Sequence, residues 1–492
     1  MLLALLVAAS GAAALPPSLV AAAGAAAAPP HHARNRAAAL RAMPARSKTL
    51  ARARASMRAW RAPRHTTAAP WEPIYPAAFG ADPTGRADSS AAFDAALAAL
   101  LARGTAGRVD EGGTVDLGGA AIDLQGGDYL ISRPLVFPSN YSNFALLHGT
   151  LRAAAAFPPG GFLVDVGTAG AFCENWGDSC TENVDLEDLF LDGSQIANGV
   201  RFNAVIGVNA GPDMFIANFS SVGVDIEGGH EVELHESWVG KCWYTPPETC
   251  WLNTTALANS TGVIINGNDH LLNQVVVFAG LVGVVVNGAA SVLTAVHTWS
   301  SQVGAVPDAV GIQVNVWQNR LVAPYLDYVP LVLRGSAVTS VTNGFFLCAD
   351  LLFRPDPNGY PVRGVIISGN EFVCGGSIRA DGVGFTGVQD VSVTGNLYDD
   401  VAPHRSTSAS VTLANSTSPW IFDFGESLIF DAASAAGAIK TVAFSVVAAE
   451  GAPFFAAYAQ PPVGGRVTVV TDRPVTAVAV TCSVDQSERS AP

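Results

Sequence analysis

Positive charge is scarce over most of this chain. Residues 66–492 hold 17 Lys and Arg against 41 Asp and Glu, a net of −24, whereas the first 65 residues hold ten Lys and Arg and no acid. A body this acidic is a poor partner for nucleic acid, because phosphate contacts need dense Lys and Arg. The acidity fits solubility and work at low pH, and singles out no substrate. The seven cysteines contain no C-x-x-C pair, so no zinc pattern is present, and neither a metal nor another cofactor is expected. Long apolar runs are missing too. "LLALLVAA" near the start is followed by Pro16 and Pro17, which argues against a membrane-spanning helix there.

What is present at the start is a two-part leader. Residues 1–28 carry no charged side chain and resemble a secretory signal, although no Lys or Arg stands near the beginning. A retained anchor and an Ala/Arg-rich organelle transit peptide are the competing readings, since Arg34 to Arg64 is basic and free of acids. Residues 29–70 read as a flexible basic segment rich in Ala and containing Pro. Secretion is favoured by the glycosylation triplets that begin at Asn140, Asn218, Asn253, Asn259 and Asn415. Cys173 and Cys180, and Cys242 and Cys250, are spaced to close small loops; Cys348 and Cys374 stand further apart and Cys482 is left over. Local disulfides in an oxidising compartment are expected.

Order is expected to begin near Trp71. In "FGADPTGRADSSAAFDAALAAL" the Asp82-Pro-Thr-Gly85 stretch is a turn, and Asp88 or Ser89 is placed to cap a helix. Ala92, Phe93, Ala96, Leu97 and Leu100 then recur at helical spacing. Beyond this helix, short apolar runs alternate with Gly and Asn. "GVDIE" at 223, "GVIIN" at 262, "GVVVN" at 283 and "GIQVN" at 311 form a loose repeat, and "VIISGN" at 365 and "VSVTGN" at 391 follow 26 apart. Strands this short bury nothing alone; stacked as coils of a parallel β-solenoid, they bury a continuous column of Val, Ile and Leu. The helix would cover one end of that column. A β-propeller is the rival architecture, but its blades repeat more evenly. The expected division is a parallel β-helix over 71–417 and a small antiparallel β appendage over 418–492, where "RVTVVTDRPVTAVAVTCSV" alternates without Gly or Asn steps.

The stretch "FGADPTGRADSSAAFDAAL" resembles the opening signature of the pectate-lyase-like, right-handed β-helix superfamily of polysaccharide-degrading enzymes. "GDYLISRPLVFP", "GGHEVELHESWVG", "GVIINGNDHLLNQVVVFAGLVGVVVNG", "NRLVAPYLDYVPLVL" and "NGFFL" resemble the quartet-type plant polygalacturonases, pectin-degrading proteins associated with separating pollen from tetrads. The resemblance runs from about residue 75 into the C-terminal region. It implies an extracellular, cell-wall hydrolase acting on galacturonan, expected as a monomer with no membrane span. The Asn-Thr-Asp, Asp-Asp, Gly-His-Gly and Arg-Ile-Lys signatures of the well-known polygalacturonases are not intact here; Gly229-His230, for instance, is followed by Glu231. Asp192, Asp213 and His235 do follow one another at 21 and 22 residues, a step like one coil of the family.

Glycoside hydrolysis needs two carboxyls across the scissile bond, roughly 6.5–9.5 Å apart in inverting enzymes. In "GGHEVELHESWVG", Val232, Leu234 and Trp238 alternate as an apolar face, with Glu236 as an interruption, and Glu231, Glu233 and His235 fall opposite them. Matching Gly223 with Gly262 sets His230 against Asp269 of "GNDH". Asp269 and Glu231 are therefore the expected carboxyl pair, with Asp192 in reserve and His230 or His235 orienting a carboxyl or holding substrate. Arg201, Lys241 and Arg320, among the few cations of the central coils, are candidate clamps for uronate carboxylates. Plainer roles compete: Glu233 and Glu236 as solubilising charges, and Asn266, Asn268, Asn287 and Asn315 as turn residues bonding the backbone. His297 reads as a core histidine, and Asp327 as either a chemical group or a buried turn partner. A lyase on the same scaffold, needing a basic residue and usually Ca²⁺, and a wall-binding β-helix without catalysis are the alternative functions.

Overall fold

The computed structural model describes residues 72–106, 113–169, 180–243, 257, 259–278, 280–300, 308–334, 337–399 and 404–488. The leader, the basic segment, Cys173, Cys250 and Asn253 lie outside the described residues.

Among the described residues one α-helix, α1 (Ser90–Leu101), precedes the coils. The Asp88 carboxylate sits at its start and accepts from the Ser90 N–H at 3.1 Å and the Ser90 hydroxyl at 2.6 Å. Ala92, Phe93, Ala96 and Leu100 face inward, and Phe93 meets Tyr129 edge to face with ring centroids 5.3 Å apart. The apolar stripe read from the sequence thus covers the first coil of the core.

The coils form a right-handed parallel β-helix. Ten strands, from Leu135–Phe137 to Ile378–Ala380, stack in chain order as one parallel sheet. Along it, Val164, Val200, Val224, Val263, Val284, Ile312, Leu331, Leu351 and Ile378 stand in register, all fully buried. The four "GV/GI" repeats of the sequence occupy consecutive places in this column, which rules out separate propeller blades. Nineteen further strands form a second sheet bent into two faces, so each coil has three sides.

The bend is made by a single left-handed residue in each coil. His148, Asp188, Asp213, Glu236, Gln274, Ala295, Ala323, Asn343, Gly369 and Gly395 stack there with φ between 47° and 67°. One such residue reverses which side chains point inward. This corrects the reading of "GGHEVELHESWVG": Val232 and Leu234 are buried, but after Glu236 the phase flips, so Val239 is buried and Trp238 is 41% exposed. Glu236 is the corner itself and not an interruption of one continuous face.

The far end of the column is closed by the C-terminal part. Strands Ser408–Thr417, Thr476–Asp485 and Thr441–Ala448 form one antiparallel sheet, and Trp420–Asp423, Arg466–Thr471 and Ala457–Ala459 another. Ile429 and Phe430 belong to the main core, and the Gln486 side chain bonds both backbone groups of Phe430. Cys348 and Cys374 are joined in a disulfide between adjacent coils, Cys180 and Cys242 each take part in a separate disulfide, and Cys482 is free and buried. No described helix is long and apolar enough to cross a membrane.

The corner makes a direct stability prediction. Left-handed φ costs an L-residue roughly 1–2 kcal/mol, more for a β-branched one, and nothing for Gly. Ala323→Val is therefore expected to lower unfolding stability by about 1–2 kcal/mol in urea melts, while Ala323→Gly leaves it unchanged or raises it. A normal strand position would give the opposite order.

Candidate functional site

The strand Val222–Ile226 buries Val224 and Ile226 and so turns Asp225 outward. In register beside Asp225 stand Arg201 on one neighbouring strand and Ile264 on the other. Arg201 in turn lies beside Asp165, and its Nε donates to Asp165 Oδ1 at 2.7 Å while its guanidinium rests 4.8 Å from the Phe162 ring centroid. Asp165, Arg201 and Asp225 thus make a charged row across the outside of the ten-strand face. The Asp225 carboxyl is pushed up to about 6, first by burial and then by the charge of Glu227 and, more weakly, Asp165, against the opposing pull of Arg201. Its Oδ1 is buried with no hydrogen-bond partner.

Glu227 follows at the next outward position, where the sheet ends and the corner begins. Gly229 is needed there: its φ is 85°, and a Cβ would come within 2.1 Å of the Val205 carbonyl oxygen. The corner opens into a cleft of about 320 Å³ lined by Glu227, Asn266, Asn268, Asn287 and Trp317, among others, with Trp317 54% exposed. Contrary to the expectation that they bond the backbone as turn residues, the side chains of Asn266, Asn287 and Asn315 do not do so. They bond one another instead, Asn315 to Asn287 at 2.7 Å and Asn287 to Asn266 at 2.9 Å, and Asn266 reaches Glu227 at 3.4 Å. Stacked coils bring identical amides within one strand spacing, so each donates to the next.

Asp269 and His230 flank this cleft. His230 bridges Asn268, one residue short of the register expected, and its Nδ1 lies 3.8 Å from Asp269 Oδ2, which also accepts from Asn268 at 2.8 Å. Glu231 and Asp269 both have left-handed φ, 50° and 62°, and hold matching places on adjacent coils. His270 is buried, accepts the Val232 N–H at Nδ1, and is pushed down to about 4 by burial and by His230. It is therefore neutral with its proton on Nε2.

The other expected site residues lie elsewhere. Asp192 pairs with Ala217 and thence Gly240, nine residues along from Glu231, and accepts from Asn218 and the Ser194 N–H. Asp213 is a corner residue, so Asp192, Asp213 and His235 hold three different places in their coils. His235 stands five residues beyond His230, bonded to Asn209 at 2.8 Å. Lys241 is 2% exposed, and its ammonium donates to the Phe219 and Ser220 carbonyls and to Gln195, while burial pulls it down to about 8. It is thereby withheld from any surface ligand. Arg320 is exposed on the second face in the same row as Glu233, three coils on, about 14 Å away. His297 is not a core histidine: it faces outward, 3.1 Å from Asp327 Oδ2, with its ring stacked on Tyr325 at 4.2 Å. Asp225 and Glu227 were missed by sequence reasoning. The signal was present in the repeat itself, where the third residue is Asp in "GVDIE" but Ile, Val and Gln in the other copies.

No family model matches the chain. The polygalacturonase QRT3 of Arabidopsis thaliana is 29% identical over 413 residues, covering 81% of this chain and 81% of that protein. Among solved structures, an endo-xylogalacturonan hydrolase from Aspergillus tubingensis is 12% identical with a TM-score of 0.44, covering 68% of this chain and 95% of its own. The A-module of a mannuronan C-5 epimerase from Azotobacter vinelandii is 14% identical with a TM-score of 0.42, covering 66% and 95%. The chain is thus similar to a polygalacturonase over four-fifths of its length, and its coils make it a right-handed parallel β-helix protein.

Proposed function

We propose that the chain is a secreted glycoside hydrolase that cleaves a galacturonan of the cell wall by inversion, with Asp225 as general acid and Glu227 as base. The observation that carries this reading is the pair itself. Asp225 is the outward residue of the strand Val222–Ile226 and Glu227 the next outward position just past its end, an extended step of about 6.6 Å between Cα atoms. Carboxyls carried outward at such a step are able to span the roughly 6.5–9.5 Å between the carboxyls of inverting enzymes. Burial and the neighbouring charge of Glu227 keep the proton on Asp225 into the mildly acid range. Asp225 then protonates the leaving glycosidic oxygen while Glu227 takes a proton from the water whose oxygen bonds to the anomeric carbon on the other face of the sugar. Arg201, braced by Asp165, faces the carboxylate of a uronate unit, and Trp317 offers an exposed ring to the polymer. The similarity to the polygalacturonase of Arabidopsis thaliana supports the substrate class. Asp269 and Glu231, with His230, stand at the same corner and are the competing carboxyl pair.

De-esterified polygalacturonate is the substrate to test, with reducing ends and the ultraviolet absorbance of unsaturated uronides followed together. A hydrolase releases reducing ends without absorbance; rising absorbance would mean elimination, and release of nothing with retained binding would mean a wall-binding role. Asp225→Asn and Glu227→Gln are each expected to lower kcat by about 10²–10⁴-fold, whereas Glu231→Gln and Asp269→Asn stay within a few-fold of the parent. The reverse pattern hands the chemistry to Asp269 and Glu231.

The pH profile supplies an independent check. A general acid works only while protonated, so activity is expected to fall as pH rises through about 6. Because the charge of Glu227 raises Asp225, Glu227→Gln should let Asp225 ionise at lower pH, moving its titration downward when followed by carbon NMR. An unmoved titration would show that the two carboxyls are not coupled.

A further inference from the structure

At the end of the β-helix, between its last coil and the first antiparallel strand, lies a second cleft of about 270 Å³. Its lining includes Arg405, His404 and Tyr398, with hydroxyls from Thr394, Ser408 and Ser427, and among the described residues no carboxylate. Arg405 is half-buried and also borders a neighbouring cleft of about 280 Å³. Its Nε is buried without a hydrogen-bond partner, and among the described residues no ion pair to its guanidinium is formed. Asp431 borders the neighbouring cleft yet makes no ion pair with it. In a body whose residues 66–492 carry a net charge of −24, a half-buried arginine with an unpartnered buried Nε, over a cleft whose described lining holds no carboxylate, calls for an anion. The aromatic side is built as well: Tyr398 stacks on Phe372 with centroids 5.2 Å apart, fixes its hydroxyl on the Arg405 carbonyl at 3.2 Å, and meets the His404 ring at 4.7 Å.

We propose that this cleft binds a single uronate residue, its carboxylate on the Arg405 guanidinium and its ring against Tyr398 and His404. The volume lies just below the roughly 300–1,000 Å³ of pockets for larger ligands, which suits one pyranose unit. A guanidinium matches a carboxylate with two parallel N–H donors, and the surrounding hydroxyls match the sugar's own. The choice of uronate over another anion rests on the galacturonan reading of the corner cleft. The site would hold a polymer end, or a released product, at the opposite end of the molecule's core from α1, away from the carboxyl pair.

Methyl α-galacturonoside, a single uronate with no scissile link to another sugar, is the probe. Its addition to the isotope-labelled chain should shift the backbone amides of Ser406 and Ser408. Arg405→Gln should weaken that binding by about tenfold or more, the scale of one lost charge-assisted contact, while Arg405→Lys retains part of it. Polygalacturonate turnover should be unchanged in both variants. Methyl α-galactoside, which lacks the carboxylate, should not shift these amides. In the unmutated chain, the galacturonoside should also slow phenylglyoxal modification of Arg405, a readout independent of how the variants fold. Absence of amide shifts, equal affinity in Arg405→Gln, or equal shifts with the neutral galactoside would each overturn the proposal. Inorganic phosphate binding as well as the galacturonoside would make this a free-anion site and overturn the uronate assignment. Loss of the galacturonan reading would appear separately, as an unmutated chain that releases no reducing ends.

Discussion

Everything in this molecule depends on each coil lying in hydrogen-bonding register on the one before it. A strand of five residues has no stability of its own, so the only way to bury Val224 or Val284 is to stack it between equivalent residues of neighbouring coils. Register then fixes the rest. A residue that turns a corner must do so in every coil, which is why ten successive coils accept a left-handed residue at one place although only two of those residues are Gly. The strain is borne because the alternative, a shifted register, would turn every inward side chain of that strand to solvent.

The same register makes chemistry by juxtaposition. Outward residues from distant parts of the chain become cross-strand neighbours: Asp165, Arg201 and Asp225 are drawn from three coils into one row. Asp225 sits between an arginine already satisfied by Asp165 and an apolar Ile264, with Glu227 two residues on. Burial and like charge outweigh the partly spent attraction of Arg201, so the carboxyl retains its proton at higher pH than an exposed aspartate. The asparagine ladder is the uncharged counterpart. Each amide can donate to one neighbour and accept from the other, which rigidifies the cleft wall without adding charge.

How far the sequence could be read follows from what each pattern encodes. The helix was legible from Ala92, Phe93, Ala96 and Leu100 because 3.6-residue periodicity has no other explanation in a stretch that short. The coils were legible from the Gly-Val repeats, whose spacings match the observed register. The corner was not, because Glu236, Gln274 and Ala323 are not residues that announce a left-handed turn; only register against the neighbouring coils imposes it. Missing that flip misplaced Trp238. The site was half legible. His230, Asp269 and Arg201 do border the candidate cleft or its charged row, but Asp225 and Glu227 were hidden inside a motif used only to find the repeat. Whether an acid faces solvent is plain from alternation; whether it is desolvated depends on neighbours that come from other coils.

The few cations make the sharpest distinction among competing roles. With so many carboxylates in the body, an arginine or lysine is ordinarily spent on the protein itself, and the partners show which ones are. Lys241 holds the Phe219 and Ser220 carbonyls and Gln195, and is a structural pin that would leave those groups unsatisfied if removed. Arg201 gives one donor to Asp165 and keeps the rest of its guanidinium facing outward, which orients it without consuming it. Arg405 gives none. The cation offered to an anionic polymer beside the carboxyl pair is therefore Arg201, while Arg405 stands apart from that pair at the end of the core.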